Sequence, residues 1–225
     1  MSKPRTPGRH RDTPDRFAFE RTLLAQGVAD VAGVDEAGRG PLAGPVVAAA
    51  LVLPSAWIEG GLPAALMGLN DSKQLTAAQR EAFFTALQAS EGIRFGIAQV
   101  AAEVIDRINI LQATHRAMND ALAQLRPPPP HALVDGTRVK SLRFPQTAIV
   151  KGDARSYSIA AASVLAKVTR DRLMVAYDQQ WPQYGFAAHK GYGTPEHLAA
   201  IARHGPCPIH RRSFAPLKPV AAELF

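Results

Sequence analysis

Apolar and polar positions along this chain fall into two rhythms. Residues 31–36 and 46–53 are short runs rich in Val, Ala and Leu, separated by a Gly-Arg-Gly, and they predict a hairpin. The glycines that follow the first run allow the strand to end or bulge there. Residues 93–100 alternate as a strand. Two brief apolar segments, 131–134 and 148–150, read as strands that each deliver an acid at their end.

Helical periodicity occupies the spaces between. A short helix over 17–26 is stopped by Gly27, and Thr76 with Gln79 three residues on forms a capping box that opens a helix to about residue 90. Residues 54–69 carry Gly and Pro punctuation and read as a loop. A helix over 110–125 is broken by the prolines at 127–130, and a long Ala- and Ser-rich helix is expected from 154 to 180. Thr194 caps a final helix, with Pro195 at its first position and Gly205 as its stop. This order predicts one mixed sheet with helices on its faces.

Composition narrows the class. A chain of 225 residues with 47% hydrophobic content can bury a sizeable core. The longest apolar run, residues 45–54, has strand length, far short of the ~20 residues of a membrane span. The polar, Pro- and Arg-rich start lacks the apolar core of a secretory signal, and Cys207 has no partner for an internal disulfide, so a cytoplasmic location is expected. Charge is concentrated at the ends: residues 1–16 and 190–225 each net +3 of the +7 total, leaving +1 for the middle. With a pI near 9.9, the basic ends suggest a polyanionic partner, most simply nucleic acid, although basic tails also serve solubility. Residues 1–16 read as a disordered basic arm, 17–205 as the main domain, and 206–225 as a short C-terminal extension.

The chemistry resides in four carboxylates at strand ends: Asp35, Glu36, Asp135 and Asp153. Taken singly, each has a structural explanation; Asp153 could cap a helix, and Asp135 before Gly136 is ordinary turn chemistry. Gathered at one edge of a sheet they would repel unless a cation sat among them, and hard oxygen donors suit Mg²⁺ or Mn²⁺. Two such ions would serve phosphodiester cleavage. Consecutive strand residues point to opposite faces, which leaves open how Asp35 and Glu36 could serve one site. Gly38, Gly40 and Gly44 have the wrong spacing for a dinucleotide fingerprint, and no Gly-Lys-Ser/Thr follows. A close-approach loop with Arg39 projecting, or a purely structural turn, remains. Asn70-Asp71-Ser72-Lys73 can offer a hydroxyl and an ammonium to a phosphate, and His189 to Thr194 sets Tyr192 among basic groups ahead of a helix. His115 and His210 show no metal-ligand spacing and read as structural or surface residues.

Taken in order, GVDEAGRGPLAGPVV, NDSKQL, NILQATHRAMNDAL, LVDG, IVKGDARSYSIAAASVLAKVTRDR, FAAHKGYGTPEHL and PIHRRSF resemble bacterial ribonuclease HII over roughly residues 28–217. The resemblance implies an α/β, ribonuclease H-like fold with a mixed five-stranded sheet. It implies a Mn²⁺- or Mg²⁺-dependent endonuclease that hydrolyses the RNA strand of RNA–DNA hybrids and incises 5′ of single ribonucleotides in duplex DNA, leaving 3′-hydroxyl and 5′-phosphate ends, as in ribonucleotide excision repair. Under it, Asp35, Glu36, Asp135 and Asp153 are the metal-binding acids. Gly38, Arg39 and Gly40 meet the nucleotide, Tyr192 helps sense the ribose, and Ser72 and Lys73 belong to a backbone-contacting loop. A sliding clamp is a candidate partner, and nothing in the sequence demands a dimer. Some family members carry a longer helical C-terminal extension than the stretch after PIHRRSF, and the short arm is no match for the N-terminal domain of ribonuclease HIII. A non-catalytic hybrid binder would be expected to lack one of the four acids, and a different two-metal nuclease would not be expected to join DEAGRG to HKGYGT.

Overall fold

The computed structural model describes residues 15–218, so the first fourteen residues of the basic arm and the last seven of the C-terminal extension lie outside it. The elements in chain order are α1 (Ala18–Ala25), β1 (Ala32–Ala37), β2 (Val46–Val52), α2 (Ser55–Gly60), α3 (Ala77–Ala89), β3 (Arg94–Val100), α4 (Ala102–Leu122), β4 (Ala132–Asp135), β5 (Gln146–Ile149), α5 (Tyr157–Gln180), α6 (Phe186–His189) and α7 (Pro195–His204). Single 3₁₀ turns lie at Ala64–Leu66, Gly152–Ala154 and Pro182–Tyr184.

The five strands form one mixed sheet in the order β3-β2-β1-β4-β5. β1 and β2 form the expected antiparallel hairpin, β3 extends it antiparallel to β2, and β4 and β5 continue it parallel to β1. Every residue of β2 is buried, because the sheet is covered on both faces. Val47, Ala49 and Leu51 pack toward α3 and α5, whereas Val46, Ala48, Ala50 and Val52 pack toward α4. Burying each such Val or Leu stabilises the fold by about 1.5–3 kcal/mol. The small residues of α5, Ala160 to Ala162 and Ala166, let that helix lie close against the sheet. At Gly33 the approach is closest: a Cβ there would sit 2.1 Å from the carbonyl carbon of Ser158.

The helix caps follow the sequence signals. Thr76 and Gln79 form the full capping box, worth about 1 kcal/mol, and α7 runs from the Thr194 cap through Pro195 to Gly205 at φ 69°. Three expectations need correction, and one connection had no element assigned to it. The segment read as a loop over 54–69 contains α2 and a 3₁₀ turn. α4 begins at Ala102, eight residues before the predicted start, because Asn109 at φ 65° breaks its phase and re-caps it by accepting from the Gln112 N–H. α5 begins at Tyr157, capped by Ser156, so Asp153 is not a helix cap. The stretch between α5 and α7 folds into a 3₁₀ turn and α6. Among the described residues no helix is long and apolar enough to cross a membrane.

Candidate active site

β1 and β4 are parallel neighbours in register, Val34 beside Val134, so the next step along both strands sets Asp35 beside Asp135. After β5 the chain turns through Lys151, at φ 56°, into the Gly152–Ala154 turn, which returns Asp153 to the same edge. The Gly152 N–H donates to Asp135 Oδ1 at 2.7 Å and ties that turn to β4. Arg16 braces it from outside, donating to the Asp153 carbonyl at 2.6 Å and to the Leu69 carbonyl at 2.6 Å. One carboxylate oxygen from each of Asp35, Asp135 and Asp153 lies within 4.8 Å of the others.

Glu36 stands at the margin of this trio. β1 keeps a regular register through Glu36 and Ala37 without the bulge the sequence allowed, so the two adjacent acids emerge on opposite faces. Asp35 faces α5. Glu36 borders two cavities, the large cleft of about 550 Å³ that Asp35 also lines and a small one of about 90 Å³ that it shares with Asp135. The Asp35 and Glu36 carboxylates still feel each other's charge, as adjacent residues of one strand. Arg39 holds Glu36 with an ion pair of 3.1 Å.

Asp35 is 5% exposed and Asp153 6%. Burial, then the Glu36 charge, holds the Asp35 carboxyl well above the usual range, although hydrogen bonding to Ser163 favours its charged form. Asp153 is pushed up to about 6 by burial, then by Asp135 and Asp71. Burial also raises Glu36, against the opposing pull of Arg39. Burial would lower Lys73, but the surrounding Asp71, Asp153, Asp35 and Asp135 raise it. Among the described residues no Lys or Arg makes an ion pair with Asp35, Asp135 or Asp153. A trio of converging, mutually repelling, oxygen-only donors fits a hard divalent cation.

The large cleft gathers the other sequence candidates. Gly38, Arg39, Gly40, Ser72, Lys73 and Tyr192 all border it, joined by Ser163, Lys167 and Arg170. Ser72 differs from expectation: it is buried, and its hydroxyl lies 2.9 Å from that of Ser163, so the cation offered by this loop is Lys73. Tyr192, 48% exposed, comes close to Gly40, where an added Cβ would lie 3.7 Å from its ring.

Sequence reasoning missed what supports the Gly-Arg-Gly loop. Arg170 and Arg211 are buried beneath it. Arg211 donates to the carbonyls of Gly38, Arg39 and Gly44, and Arg170 to those of Ala43, Pro45 and Lys190. Burial and the neighbouring Arg170 charge lower Arg211 to about 9. Asp71, beside Asp153, was also passed over. Its signal was its place in NDSK; for the arginines, a charged pair in and after α5 gave no hint of burial.

The sequence matches the ribonuclease HII family over residues 32–217. It is 54% identical over 198 residues to the ribonuclease HII of Ruminiclostridium cellulolyticum, covering 88% of this chain and 74% of that one. Against the ribonuclease HII of Geotalea daltonii it is 53% identical over 209 residues, 93% of each chain. In three dimensions it is similar to ribonuclease H2 of Pyrococcus horikoshii, with a TM-score of 0.69 and 31% identity over 83% of this chain and 94% of that one. The Archaeoglobus fulgidus ribonuclease HII, solved with PCNA, shares the fold at a TM-score of 0.63 and 23% identity, over 85% of this chain and 98% of that one. The convergence of strand-end acids is thus matched by descent, and the chain belongs to the ribonuclease HII family, endonucleolytic hydrolases that act on the RNA of RNA–DNA hybrids.

Proposed function

We propose that the chain incises duplex DNA 5′ of a single embedded ribonucleotide, leaving 3′-hydroxyl and 5′-phosphate ends, and that Asp35, Glu36, Asp135 and Asp153 hold Mn²⁺ or Mg²⁺ for this step. The supporting observation is a carboxylate trio within 4.8 Å of which Asp35, together with Glu36, lines the cleft bordered by the Gly-Arg-Gly loop and an exposed tyrosine. When bound, a pair of such ions supplies Lewis acidity both for attack of water on phosphorus and for departure of the 3′ oxygen.

The protein's own part is placement. Asp35 and Asp135 are fixed by strand register, and Gly152 orients Asp135 through its N–H. A protein separates RNA from DNA at one position through the 2′-hydroxyl, which requires close backbone approach. Gly38 and Gly40 would permit that approach, Arg39, paired with Glu36 at the cleft, would offer its remaining donors to the backbone, and Tyr192 beside Gly40 would close the ribose side. Lys73 faces the cleft as a phosphate contact, and the basic ends attract the polyanion that the acids alone would repel. The chain would act as a monomer in the cytoplasm during ribonucleotide removal, with a sliding clamp as partner, as PCNA is for the Archaeoglobus fulgidus protein, and a pull-down tests that contact.

Asp135→Asn tests the assignment. It should abolish Mn²⁺- or Mg²⁺-dependent nicking of a duplex with one ribonucleotide while gel-shift binding persists. Undiminished nicking would remove Asp135 from the reaction.

A further inference from the structure

Behind Tyr192 lies a buried histidine pair that the cleavage chemistry leaves unused. His197, in the first turn of α7, and His210, in the segment after it, are both buried, and their Nε2 atoms lie 3.0 Å apart. Two nitrogens at that distance share one proton. Both ends of the chain terminate on backbone groups whose polarity is fixed. His197 Nδ1 is 2.8 Å from the Tyr192 carbonyl, which only accepts, so Nδ1 carries a hydrogen and His197 Nε2 is bare. His210 Nε2 must then donate to it. At the far end, His210 Nδ1 accepts from the Cys207 N–H at 3.0 Å, with Cys207 Sγ at 3.1 Å. The sequence of donors is therefore Cys207 N–H to His210, His210 to His197, His197 to the Tyr192 carbonyl. A further proton on either ring would face another N–H.

The surroundings agree. The groups that face the pair are His189, stacked on His197 at 4.3 Å, the rings of Tyr184 and Phe186, Cys207 and, at longer range, Arg212. Among the described residues no carboxylate hydrogen-bonds either imidazole, and burial pushes His197 down and His210 to about 4. The same segment is sewn to the substrate loop. Leu42 N–H donates to the Gly191 carbonyl, Arg211 N–H to that of Leu42 and Gly44 N–H to that of Ile209.

We propose that His197 and His210 are positioning residues: a proton-ordered pair of neutral imidazoles, anchored at both ends on backbone groups, that holds Tyr192 in place against the Gly-Arg-Gly loop. The claim rests on the reading of Tyr192 as a ribose contact. Its structural half can be read without any substrate. In long-range ¹H–¹⁵N spectra of the ¹⁵N-histidine-labelled wild type near pH 6, His197 should appear as the Nδ1–H tautomer and His210 as the Nε2–H tautomer. The opposite tautomers, or an imidazolium at either position, would overturn it.

The functional half uses variants. His197→Leu should lower kcat/KM on a duplex with one ribonucleotide about tenfold, with Mn²⁺ affinity by calorimetry unchanged. His197→Asn, whose amide can still donate to the Tyr192 carbonyl, should restore most of the loss. In a Tyr192→Ala background, His197→Leu should change the rate less than about twofold. Equal losses in the Leu and Asn variants, or an undiminished loss in that background, would overturn positioning through Tyr192. Full activity of Tyr192→Ala would instead remove the ribose-contact reading itself, whereas an impaired Tyr192→Ala beside an unimpaired His197→Leu would sink the positioning claim alone.

Discussion

Arg211 holds Gly38 from beneath: its Nη2 donates to the Gly38 carbonyl at 2.5 Å, while Nη1 and Nε reach Arg39 and Gly44. A guanidinium buried without a carboxylate is costly, and here its donors are spent on carbonyls of the loop that carries Gly38 and Arg39. Arg211→Lys keeps the charge but cannot span three carbonyls. Each buried carbonyl left unpaired costs about 1–3 kcal/mol, so a total loss of about 2–4 kcal/mol is expected by urea unfolding. Nicking should fall about tenfold or more from the misplaced loop, with Mn²⁺ affinity retained. Unchanged unfolding and unchanged nicking would contradict the clamp.

Gly38 is fixed by conformation as well as by its partner. At φ +95°, with an added Cβ 2.0 Å from Arg170 Nε, it admits no side chain unless Arg170 moves. Gly38→Ala should destabilise the fold by about 2 kcal/mol or more and reduce nicking about a hundredfold. Gly60→Ala, in a helix with nothing near the new methyl, is the control and should be neutral or stabilising by about 0.5–1 kcal/mol.

Asp153 supplies a pH dependence. Its carboxyl titrates at about 6 in the fold against 3.8 ordinarily. Between those values the folded chain keeps a proton that the unfolded chain has released. Its contribution is therefore fully present below 3.8 and is lost as pH rises through about 6. In metal-free buffer, Asp153→Asn should gain Tm relative to wild type as pH rises across that window and level off above it. Added Mn²⁺ should reverse the order by stabilising the wild type more. A difference that stays flat with pH would contradict the assignment.

Much of this was legible in the chain. The continuous apolar run of β2 announced a strand buried on both faces, and the Thr76 and Thr194 signals located two helix starts to the residue. The four acids were visible because each lies late in a strand or just beyond one. Glu36 was legible as an acid but its place was not, since alternation sends it to the face opposite Asp35. The first half of α4 was hidden because Asn109 resets the helical phase. Ser156 displaced Asp153 as a cap because a 3₁₀ turn intervenes. The burial of Arg170, Arg211 and the His197–His210 pair was not legible for one reason: a charged or polar side chain reads as surface unless its partners are known, and the arginines' partners are loop carbonyls, most of them distant in sequence, while the two rings meet only once α7 and the segment after it fold together.

The proposed function requires the cleft to recognise a ribose embedded in DNA. The direct measurement offers the wild-type protein, with Mn²⁺ or Mg²⁺, a DNA duplex holding one ribonucleotide beside an all-DNA duplex of the same sequence. A single nick on the 5′ side of the ribonucleotide, with the all-DNA duplex intact, is the predicted result. Equal cutting of both duplexes, or of neither, would contradict it.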